Sequence, residues 1–409
     1  MSRIPFENSK FEKVRIRFLI SEKTKSKIQV GDAKPKDEAQ YPFFTSGENI
    51  LSFDKFLCDN QTIFLNTGGN ASVKFYDGKA SYSTDTYAIK SKNENFYLTK
   101  FLFYCLNDTK FMNDIYFEGS ALKHLQKNKF KNFKIPLPPL NKQKEIAEFL
   151  DKKCEIIDKR LNNLERKIKS LKEYKKSLIS ECVTKGLNPK NMEFKDSGIP
   201  WIGEIPEHWK ISKIKYIVSK KITDGTHQTP EYADENTGSP FLSAKDVTSG
   251  YINWENIKYI TKSLHNQLQK EVKPQKDDIL LAKNGTTGIA ALVTDDKIFD
   301  IYVTLALIRA NKNIVLPKFL LYIINSELCK IQFNLSLIGI GVQNLHLNLI
   351  NNTLILVPPL NKQKEIAEFL DKKCEKIDRL NENYTKQITA LKEYKKSLIY
   401  ECVTGKKEI

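Results

Sequence analysis

The chain has 409 residues, enough for two or more domains that each bury a core. Its net charge of +17 favours a polyanionic partner, and nucleic acid is the commonest partner of that kind. No run of about 18 apolar residues, no apolar signal region and no Cys-x-x-Cys pair occurs, so we expect a soluble, cytoplasmic protein without membrane contact, zinc or disulfides.

The first globular stretch has the pattern of strands around a polar glycine loop. The apolar run at residues 63–65 leads into Asn66-Thr67-Gly68-Gly69-Asn70, which indicates a strand followed by a turn. Another extended run covers residues 86–89, and a short helical pattern covers residues 100–104. This order of elements predicts an α+β domain.

A long amphipathic helix is predicted next. Small or apolar residues recur with the 3-4 spacing of a heptad seam, broken only at Lys175: Ala147, Leu150, Cys154, Ile157, Leu161, Leu164, Ile168, Leu171, Leu178 and Cys182. Pro138-Pro139 and Gly186 bound this helix, which therefore spans about 40 residues. A helix that is apolar along one stripe needs a partner, either in another chain or elsewhere in this one.

The second half of the chain repeats the first. Residues 138–155 recur without a change at 358–375, and residues 171–179 recur at 391–399. The globular stretches also align, although faintly, at 11–21 with 209–219, 42–46 with 240–244, 63–65 with 279–281, 86–89 with 304–308 and 100–104 with 318–322. We therefore favour packing of the two long helices on each other, with an intermolecular coiled coil as the alternative.

Helices that share two identical segments, combined with globular stretches that diverge, suggest two recognition heads on a shared spacer. Segments that are identical in both copies meet the same constraint twice, whereas the globular stretches perform two versions of one task. Antiparallel helices would relate the heads by a pseudo-twofold axis, which suits a duplex with two short elements of opposite polarity.

The helix-start motif resembles that of the specificity subunit of type I restriction-modification systems. It is Pro-Leu-Pro-Pro-Leu-Asn-Lys-Gln-Lys-Glu-Ile at 136–146 and Val-Pro-Pro-Leu-Asn-Lys-Gln-Lys-Glu-Ile at 357–366, joined by Gly-Ile-Pro-Trp-Ile-Gly-Glu-Ile-Pro-Glu-His-Trp at 198–209. The first domain lacks that lead-in and has only residues 4–11 in its place. The resemblance implies that the tail of the second helix lies near this shortened start.

The resemblance also implies an architecture. We expect an α+β fold with a pseudo-twofold internal repeat: target-recognition domains at 1–137 and 188–357, separated and followed by long antiparallel coiled-coil helices at 138–187 and 358–409. It implies recognition of a bipartite, asymmetric site in double-stranded DNA. Expected partners are two methyltransferase and two restriction subunits, with S-adenosylmethionine, ATP and Mg²⁺ on those partners and no cofactor or metal on this chain.

DNA contact requires phosphate donors and short polar side chains near glycine turns. The candidates are Thr45, Ser46, Asn66, Thr67, Gly69, Asn70, Lys74 and Tyr82 in the first domain and Thr223, Asp224, Gly225, Thr226, His227, Ser243, Lys245, Lys283, Asn284, Thr286 and Thr287 in the second. The glycine segments would equally form ordinary hairpin turns. For Tyr82, with Tyr76 and Tyr87, packing in the core is favoured over stacking on DNA bases. His227 is interpreted as a turn residue rather than a metal ligand or a catalytic base.

The repeated Lys-Glu-Tyr-Lys-Lys runs suggest a docking surface for partner subunits. The candidates are Tyr174, Lys175, Tyr394 and Lys395, with a solvated helix face as the alternative. Neither an adenine-methyltransferase Asp/Asn-Pro-Pro-Tyr/Phe motif nor a phosphate-binding loop is present, so we predict a non-catalytic subunit. An autonomous DNA-modifying enzyme and a protein-only coiled-coil scaffold are the competing hypotheses.

Overall fold

The computed structural model describes residues 6–107, 112, 116–119, 123–336 and 344–409. Residues 4 and 5 of the shortened start lie outside the described residues. The chain divides into two compact units, Met1–Arg166 with Tyr384–Ile409, and Lys167–Asn383. Each unit contains one globular domain together with part of both long helices.

The first globular domain consists of short strands and short helices and is followed by one long helix. In chain order the elements are β1 Lys13–Arg15, α1 Ile16–Leu19, β2 Ile20–Glu22, β3 Tyr41–Phe44, β4 Leu51–Phe53, β5 Thr62–Asn66, β6 Val73–Tyr76, β7 Ser81–Tyr82, β8 Thr86–Ser91, α2 Thr99–Leu106, β9 Phe117–Glu118, β10 His124–Leu125, α3 Lys127–Asn132, β11 Lys134–Pro136 and α4 Leu140–Lys185.

Three layers form this domain: a helical layer with α2, a four-stranded sheet and a three-stranded sheet. The sheet β2-β8-β5-β6 is antiparallel, and the sheet β4-β3-β7 pairs β3 in parallel with β7. Because side chains alternate along a strand, β5 divides its residues between two cores. Ile63 and Leu65 pack with Phe101 of α2, whereas Phe64 stacks on Phe44 of the smaller sheet with ring centroids 4.2 Å apart.

The second globular domain and its helix follow the same plan. The elements are β12 Phe194–Asp196, β13 Glu204–Pro206, β14 Lys210–Lys213, β15 Thr223–Asp224, β16 Tyr232–Ala233, β17 Ser239–Leu242, β18 Lys258–Ile260, α5 Lys262–Glu271, β19 Ile279–Ala282, β20 Ala290–Leu292, β21 Asp300–Ile301, β22 Leu305–Ile308, α6 Pro317–Ile324, α7 Glu327–Ser336, α8 Leu347–Asn352, β23 Leu354–Val357 and α9 Leu360–Val403.

Strand pairing confirms the predicted alignment of the two domains. The sheet β15-β22-β19-β20 has the topology of β2-β8-β5-β6, and β17 pairs in parallel with β21 as β3 does with β7. The pair β14·β23 likewise repeats β1·β11. Helix α5 and the hairpin β12·β13 have no counterpart among the described elements of the first domain.

The long helices pack on each other inside the chain. In the first unit, Leu150, Cys154 and Ile157 share a core with Leu398 and Cys402. Residue numbers rise along α4 and fall along α9 at the ion pairs Asp158–Lys395 (2.6 Å) and Glu165–Lys392 (3.8 Å), so the helices are antiparallel. The predicted stop of α4 is also present, since Gly186 has φ of +78°, and Gly405 follows α9 in the same way with φ of +73°.

A buried glutamine joins each globular domain to its long helix. Gln143 and Gln363 are 0% exposed, and each side chain accepts one backbone N–H and donates to two backbone carbonyls. The partners are Leu98 N, Phe96 O and Pro138 O for Gln143, and Leu316 N, Ile314 O and Pro358 O for Gln363, all within 2.8–3.1 Å. Part of the repeated helix-start motif is therefore a structural anchor.

A second repeated anchor uses an aspartate. Asp151 of α4 accepts the Tyr104 hydroxyl, and Asp371 of α9 accepts the Tyr322 hydroxyl at 2.8 Å. A lysine one turn earlier in each short helix pairs with the same carboxylate, Lys100 at 3.0 Å in one copy and Lys318 at 2.6 Å in the other. Burial and the neighbouring carboxylate raise the pKa of both tyrosines.

The shortened start of the first domain packs against the end of α9, as expected. Lys10 N donates to Thr404 O at 2.9 Å. A Cβ on Gly405 would lie 2.8 Å from the Phe11 ring, so glycine allows this close approach. In the second unit a Cβ on Gly186 would lie 3.2 Å from Met192 and 3.5 Å from Trp209, so the packing there is less tight. Among the described helices, none combines the length and apolar character needed to cross a bilayer.

Candidate nucleic-acid interface

Three strand ends meet in the first domain around Asp85. The carboxylate accepts the hydroxyls of Ser46, just after β3, and of Ser83, just after β7. The Asp85 carbonyl accepts both N–H and Oγ1 of Thr67, just after β5, each at 2.9 Å. Thr45, Ser46, Thr67, Lys74, Ser83 and Asp85 are called the first polar cluster below.

Lys74 braces the loop at the edge of this cluster. Its Nζ donates to Thr45 O at 3.0 Å and to Gly47 O. Loss of water contact lowers the pKa of Lys74, while the carboxylates of Asp85 and Glu48 oppose that shift. The ammonium is half-buried, and part of its hydrogen-bonding capacity is used inside the loop.

Asn66 closes the glycine loop from within. It is 3% exposed, and its Nδ2 donates to Gly68 O at 2.8 Å and to Asn70 O, while its Oδ1 accepts Ser72 N at 2.7 Å. An amide occupied in this way has little hydrogen-bonding capacity left for a base edge, so its geometry does not support the predicted DNA contact. The exposed side chain at the tip of this loop is that of Asn70.

Tyr82 corrects one prediction. Its side chain is 1% exposed, the hydroxyl donates to Thr24 O at 2.6 Å, and the ring packs 5.7 Å from that of Phe64. Burial raises the pKa of Tyr82 to about 12. The prediction that Tyr82 contacts DNA is wrong because the ring belongs to the core between the two sheets, which was the alternative. Tyr87 is also buried, at 5% exposed.

The second domain places a lysine–aspartate pair at the equivalent strand ends. Lys283 follows β19 as Thr67 follows β5, and its N–H donates to Thr304 O at 2.8 Å. The Lys283 ammonium pairs with Asp224 of β15, and the two side chains are 6% and 15% exposed. The other oxygen of Asp224 lies 3.3 Å from Nε2 of His227, whose side chain is 72% exposed.

The turn after Asp224 is held tightly to the neighbouring strand. A Cβ on Gly225 would lie 1.9 Å from Ile301 O, so the position admits only glycine without backbone movement. Thr226 N donates to Ile301 O at 3.2 Å, and Val303 N donates to Thr226 O at 3.1 Å. Thr223 and Thr226 are half-buried, and the exposed tip begins at His227.

Ser243 follows β17 and caps a short 3-10 turn. Its N–H and hydroxyl both donate to Asp246, at 2.8 and 3.0 Å, and Ala244 N donates to Thr304 Oγ1 at 3.0 Å. Lys245 extends outward, with its side chain 55% exposed and Nζ 3.3 Å from Asn256 O. Asp224, His227, Ser243, Asp246, Lys283 and Thr304 are called the second polar cluster below.

The second glycine loop follows Lys283. Gly285, with φ of +73°, and Thr286 are exposed, whereas Asn284 and Thr287 are half-buried. Leu345 N donates to Lys283 O at 2.8 Å, which fixes the start of this loop. Among the described residues, the most exposed candidates are therefore Asn70, His227, Lys245, Gly285 and Thr286. Contact of any of these residues with DNA stays a prediction.

The proposed docking residues separate into two types. Lys175 and Lys395 occupy the breaks in the heptad seams, where they pair with Asp378 (2.7 Å) and Asp158 (2.6 Å) of the facing helix. Their ammonium groups are thus used inside the chain and give no support to docking. Tyr174 and Tyr394 are 54% and 55% exposed and stay available for a partner.

Sequence reasoning missed Asp85, the centre of the first polar cluster. The Ser-Thr-Asp order at 83–85 between two short strands is a common turn pattern and would have marked a turn, but not its role in joining three strand ends. No group of three or more His, Cys, Asp or Glu side chains is arranged for a metal within the described ranges.

Two stretches of the chain, residues 8–169 and 206–390, match the family described as Type I restriction modification DNA specificity domain. The chain belongs to this family. Its role is therefore DNA sequence specificity within a type I restriction-modification complex, as the resemblance implied. The duplicated match agrees with the internal repeat.

Related proteins carry the same description. The type I restriction enzyme MjaVIII specificity subunit of Methanocaldococcus jannaschii is 29% identical over 353 residues, which cover 85% of this chain and 79% of that protein. The EcoBI specificity subunit of Escherichia coli is 22% identical over 290 residues, which cover 70% of this chain and 60% of that protein.

Solved structures support the fold. A chain from a structure on complex assembly and conformational transition of the type I R-M system is 15% identical, covers 96% of this chain and 97% of that chain, and superposes with a TM-score of 0.66. The predicted α+β architecture with two long antiparallel helices is confirmed. The exact boundaries of the four predicted segments stay a prediction.

Proposed function

We propose that the chain reads a bipartite, asymmetric site in double-stranded DNA, with one half-site contacted by each globular domain. The observation that carries this proposal is a shared scaffold with different polar side chains at equivalent places. Thr67 and Lys283 make the same backbone bond to Asp85 and Thr304, respectively. The first cluster is centred on a carboxylate that holds serines, and the second on a lysine–aspartate pair, so the two domains present different groups to DNA.

The positive charge supports affinity rather than sequence choice. Lysine and arginine contacts to phosphates supply a sequence-independent, salt-sensitive part of binding. Base selection then rests on the exposed polar tips, for which Asn70, His227, Lys245 and Thr286 are the candidates with accessible side chains.

We also infer that the repeated helix starts dock two copies of one partner, a methyltransferase subunit. The buried anchors explain the identity of Gln143 and Asp151 with their counterparts, but they do not explain identity at exposed positions. Eight positions are exposed in both copies: Pro139, Asn141, Lys144, Glu145, Glu148, Lys152, Lys153 and Glu155, with Pro359, Asn361, Lys364, Glu365, Glu368, Lys372, Lys373 and Glu375. Solvated positions diverge freely, so identity there favours a shared protein contact.

In this proposal the chain supplies recognition and the partners supply chemistry. Adenine methylation uses S-adenosylmethionine on the methyltransferase subunits, and restriction uses ATP and Mg²⁺ on two restriction subunits. The proposed location is the cytoplasm, where this complex meets host DNA.

The test is to co-express the chain with the methyltransferase subunit encoded beside it and to map N6-methyladenine by single-molecule sequencing. We expect a two-part motif with a fixed gap. Replacing the first or the second globular domain with that of a related subunit should change only one half of the motif, because each domain is joined to its long helix by its own set of hydrogen bonds.

The result also separates the competing hypotheses. Methylation or cleavage of DNA by the purified chain alone would support an autonomous enzyme. A stable complex that leaves no motif and binds DNA without salt dependence would support a protein-only scaffold. A matched variant carries Glu155→Gln and Glu375→Gln, which removes the same exposed charge from both helix starts. It should weaken assembly and leave the motif sequence unaltered.

A further inference from the structure

His227 is the exposed end of a chain of contacts that begins in the core of the second domain. Gly225 and Thr226 fix the backbone of its turn against Ile301 and Val303. The imidazole itself is 72% exposed and contacts Asp224 through Nε2 at 3.3 Å. A fixed backbone with a solvent-facing side chain is the arrangement that a base-reading residue requires, because little ordering remains to be done on binding.

Asp224 and Lys283 together determine what that imidazole presents. Lys283 neutralises the carboxylate from the protein side, so an aspartate at a DNA-facing position does not repel phosphates. The remaining carboxylate oxygen accepts only a donor, which in a neutral imidazole must be the Nε2–H. Nδ1 is then an acceptor, and no hydrogen bond to it is made by the described residues.

We propose that His227 is a specificity-determining residue of the second domain, whose Nδ1 accepts a hydrogen bond from the exocyclic amino group of adenine or cytosine in the major groove. Those amino groups are the major-groove donors of DNA bases. Asp224 is the positioning residue, and Lys283 neutralises it rather than contacting DNA. This proposal rests on the proposed function, because it assumes that the second domain reads one half-site.

The first domain provides no equivalent device. In its cluster Asp85 accepts two serine hydroxyls, and Lys74 donates to backbone carbonyls instead of forming an ion pair with that carboxylate. The histidine of this region, His124, lies beside Gly68 of the glycine loop. The effect of changing His227 should therefore be confined to the half-site that the second domain reads.

The first experiment maps adenine methylation by the co-expressed complex carrying His227→Ala. We expect one position of one half-site to accept other bases, with the other half-site and the gap unchanged, and affinity for the original site to fall roughly 10- to 100-fold. His208→Ala is the matched control, since it removes another exposed histidine of the same unit, and it should leave the motif intact.

An unchanged motif in the His227→Ala complex would overturn the proposal. If that variant fails to assemble, His227→Gln keeps a polar side chain and should still alter the same position. Absence of a two-part motif in the wild-type complex would instead contradict the proposed function, so the two failures are distinguishable.

The second experiment tests the positioning role of Asp224. With the five histidines ¹⁵N-labelled in the full chain, long-range NMR correlations report which ring nitrogen carries the proton. We expect His227 to carry it on Nε2 in the wild-type chain, and this preference to weaken to that of a free imidazole in Asp224→Ala, which removes the acceptor, with methylation of the original site reduced. A tautomer preference that Asp224→Ala leaves unchanged would remove Asp224 from the proposal.

Discussion

The helix anchors and the polar clusters differ in what the duplication has preserved. Gln143 and Gln363 make the same three hydrogen bonds, and Asp151 and Asp371 hold the same tyrosine and lysine. At the strand ends the backbone pattern is repeated, but the side chains are not. A junction that must form twice therefore keeps its residues, whereas a surface that selects a ligand keeps only its scaffold.

The largest effect is expected from a substitution that disrupts the backbone support of the second polar cluster only. Gly225→Ala places a Cβ against Ile301 O, so the turn must move, and we expect a loss of about 3 to 5 kcal/mol in the free energy of unfolding of the second unit. All three tryptophans lie in that unit, so fluorescence during urea unfolding reports on it.

Gly285→Ala is the control for this prediction. Gly285, unlike Gly225, has positive φ, but no atom lies within 4 Å of the added Cβ, so we expect a loss of only about 1 kcal/mol. Equal midpoints for the two variants would show that the turn at Gly225 relaxes freely and that it is not a rigid support for His227.

The next prediction tests whether the two glutamine anchors contribute equally to stability. Gln143→Leu and Gln363→Leu each leave one backbone N–H and two carbonyls without a buried partner, which should cost about 2 to 4 kcal/mol per variant. Hydrogen exchange at the Leu98 and Leu316 amides measures each loss separately. Lys144→Ala, at an exposed position, should change neither, and a clear inequality between the two glutamines would contradict identical roles.

The repeat, the seams and the strand order could be predicted because they depend on sequence spacing. Apolar residues at heptad spacing and two identical segments are sufficient to indicate paired helices, and the structure confirms both. The aligned strands were also found, since apolar runs before glycine turns mark β5 and β19 in both copies.

The direction of polar and aromatic side chains could not be predicted in the same way. Asn66 lies in a polar glycine loop, and only the fold shows that its amide points inward to close that loop. Tyr82 sits in a strand of two residues, too short for alternation to show which face is buried. Lys283 is buried because its ammonium group pairs with the carboxylate of Asp224, 59 residues away in sequence.

A smaller effect distinguishes core from surface within the first domain. Tyr82→Phe removes the hydrogen bond to Thr24 O and should cost about 1 kcal/mol without changing either half-site. Asn70→Ala is the matched surface change, which should leave stability within about 0.5 kcal/mol. Unfolding experiments and methylation mapping give the two readouts. A relaxed half-site in Tyr82→Phe would return this residue to the DNA surface.

The smallest effect concerns the lysines that interrupt the seams. Asp158→Asn and Asp378→Asn each remove an ion pair whose members are 26–59% exposed, so we expect a cost of about 0.2 to 1 kcal/mol that shrinks in high salt. The two values should agree, because the pairs are copies. Lys175→Gln and Lys395→Gln should behave alike and still permit assembly with the methyltransferase subunit. Assembly lost in the lysine variants but retained in the aspartate variants would show that these ammonium groups contact the partner as well as the facing helix.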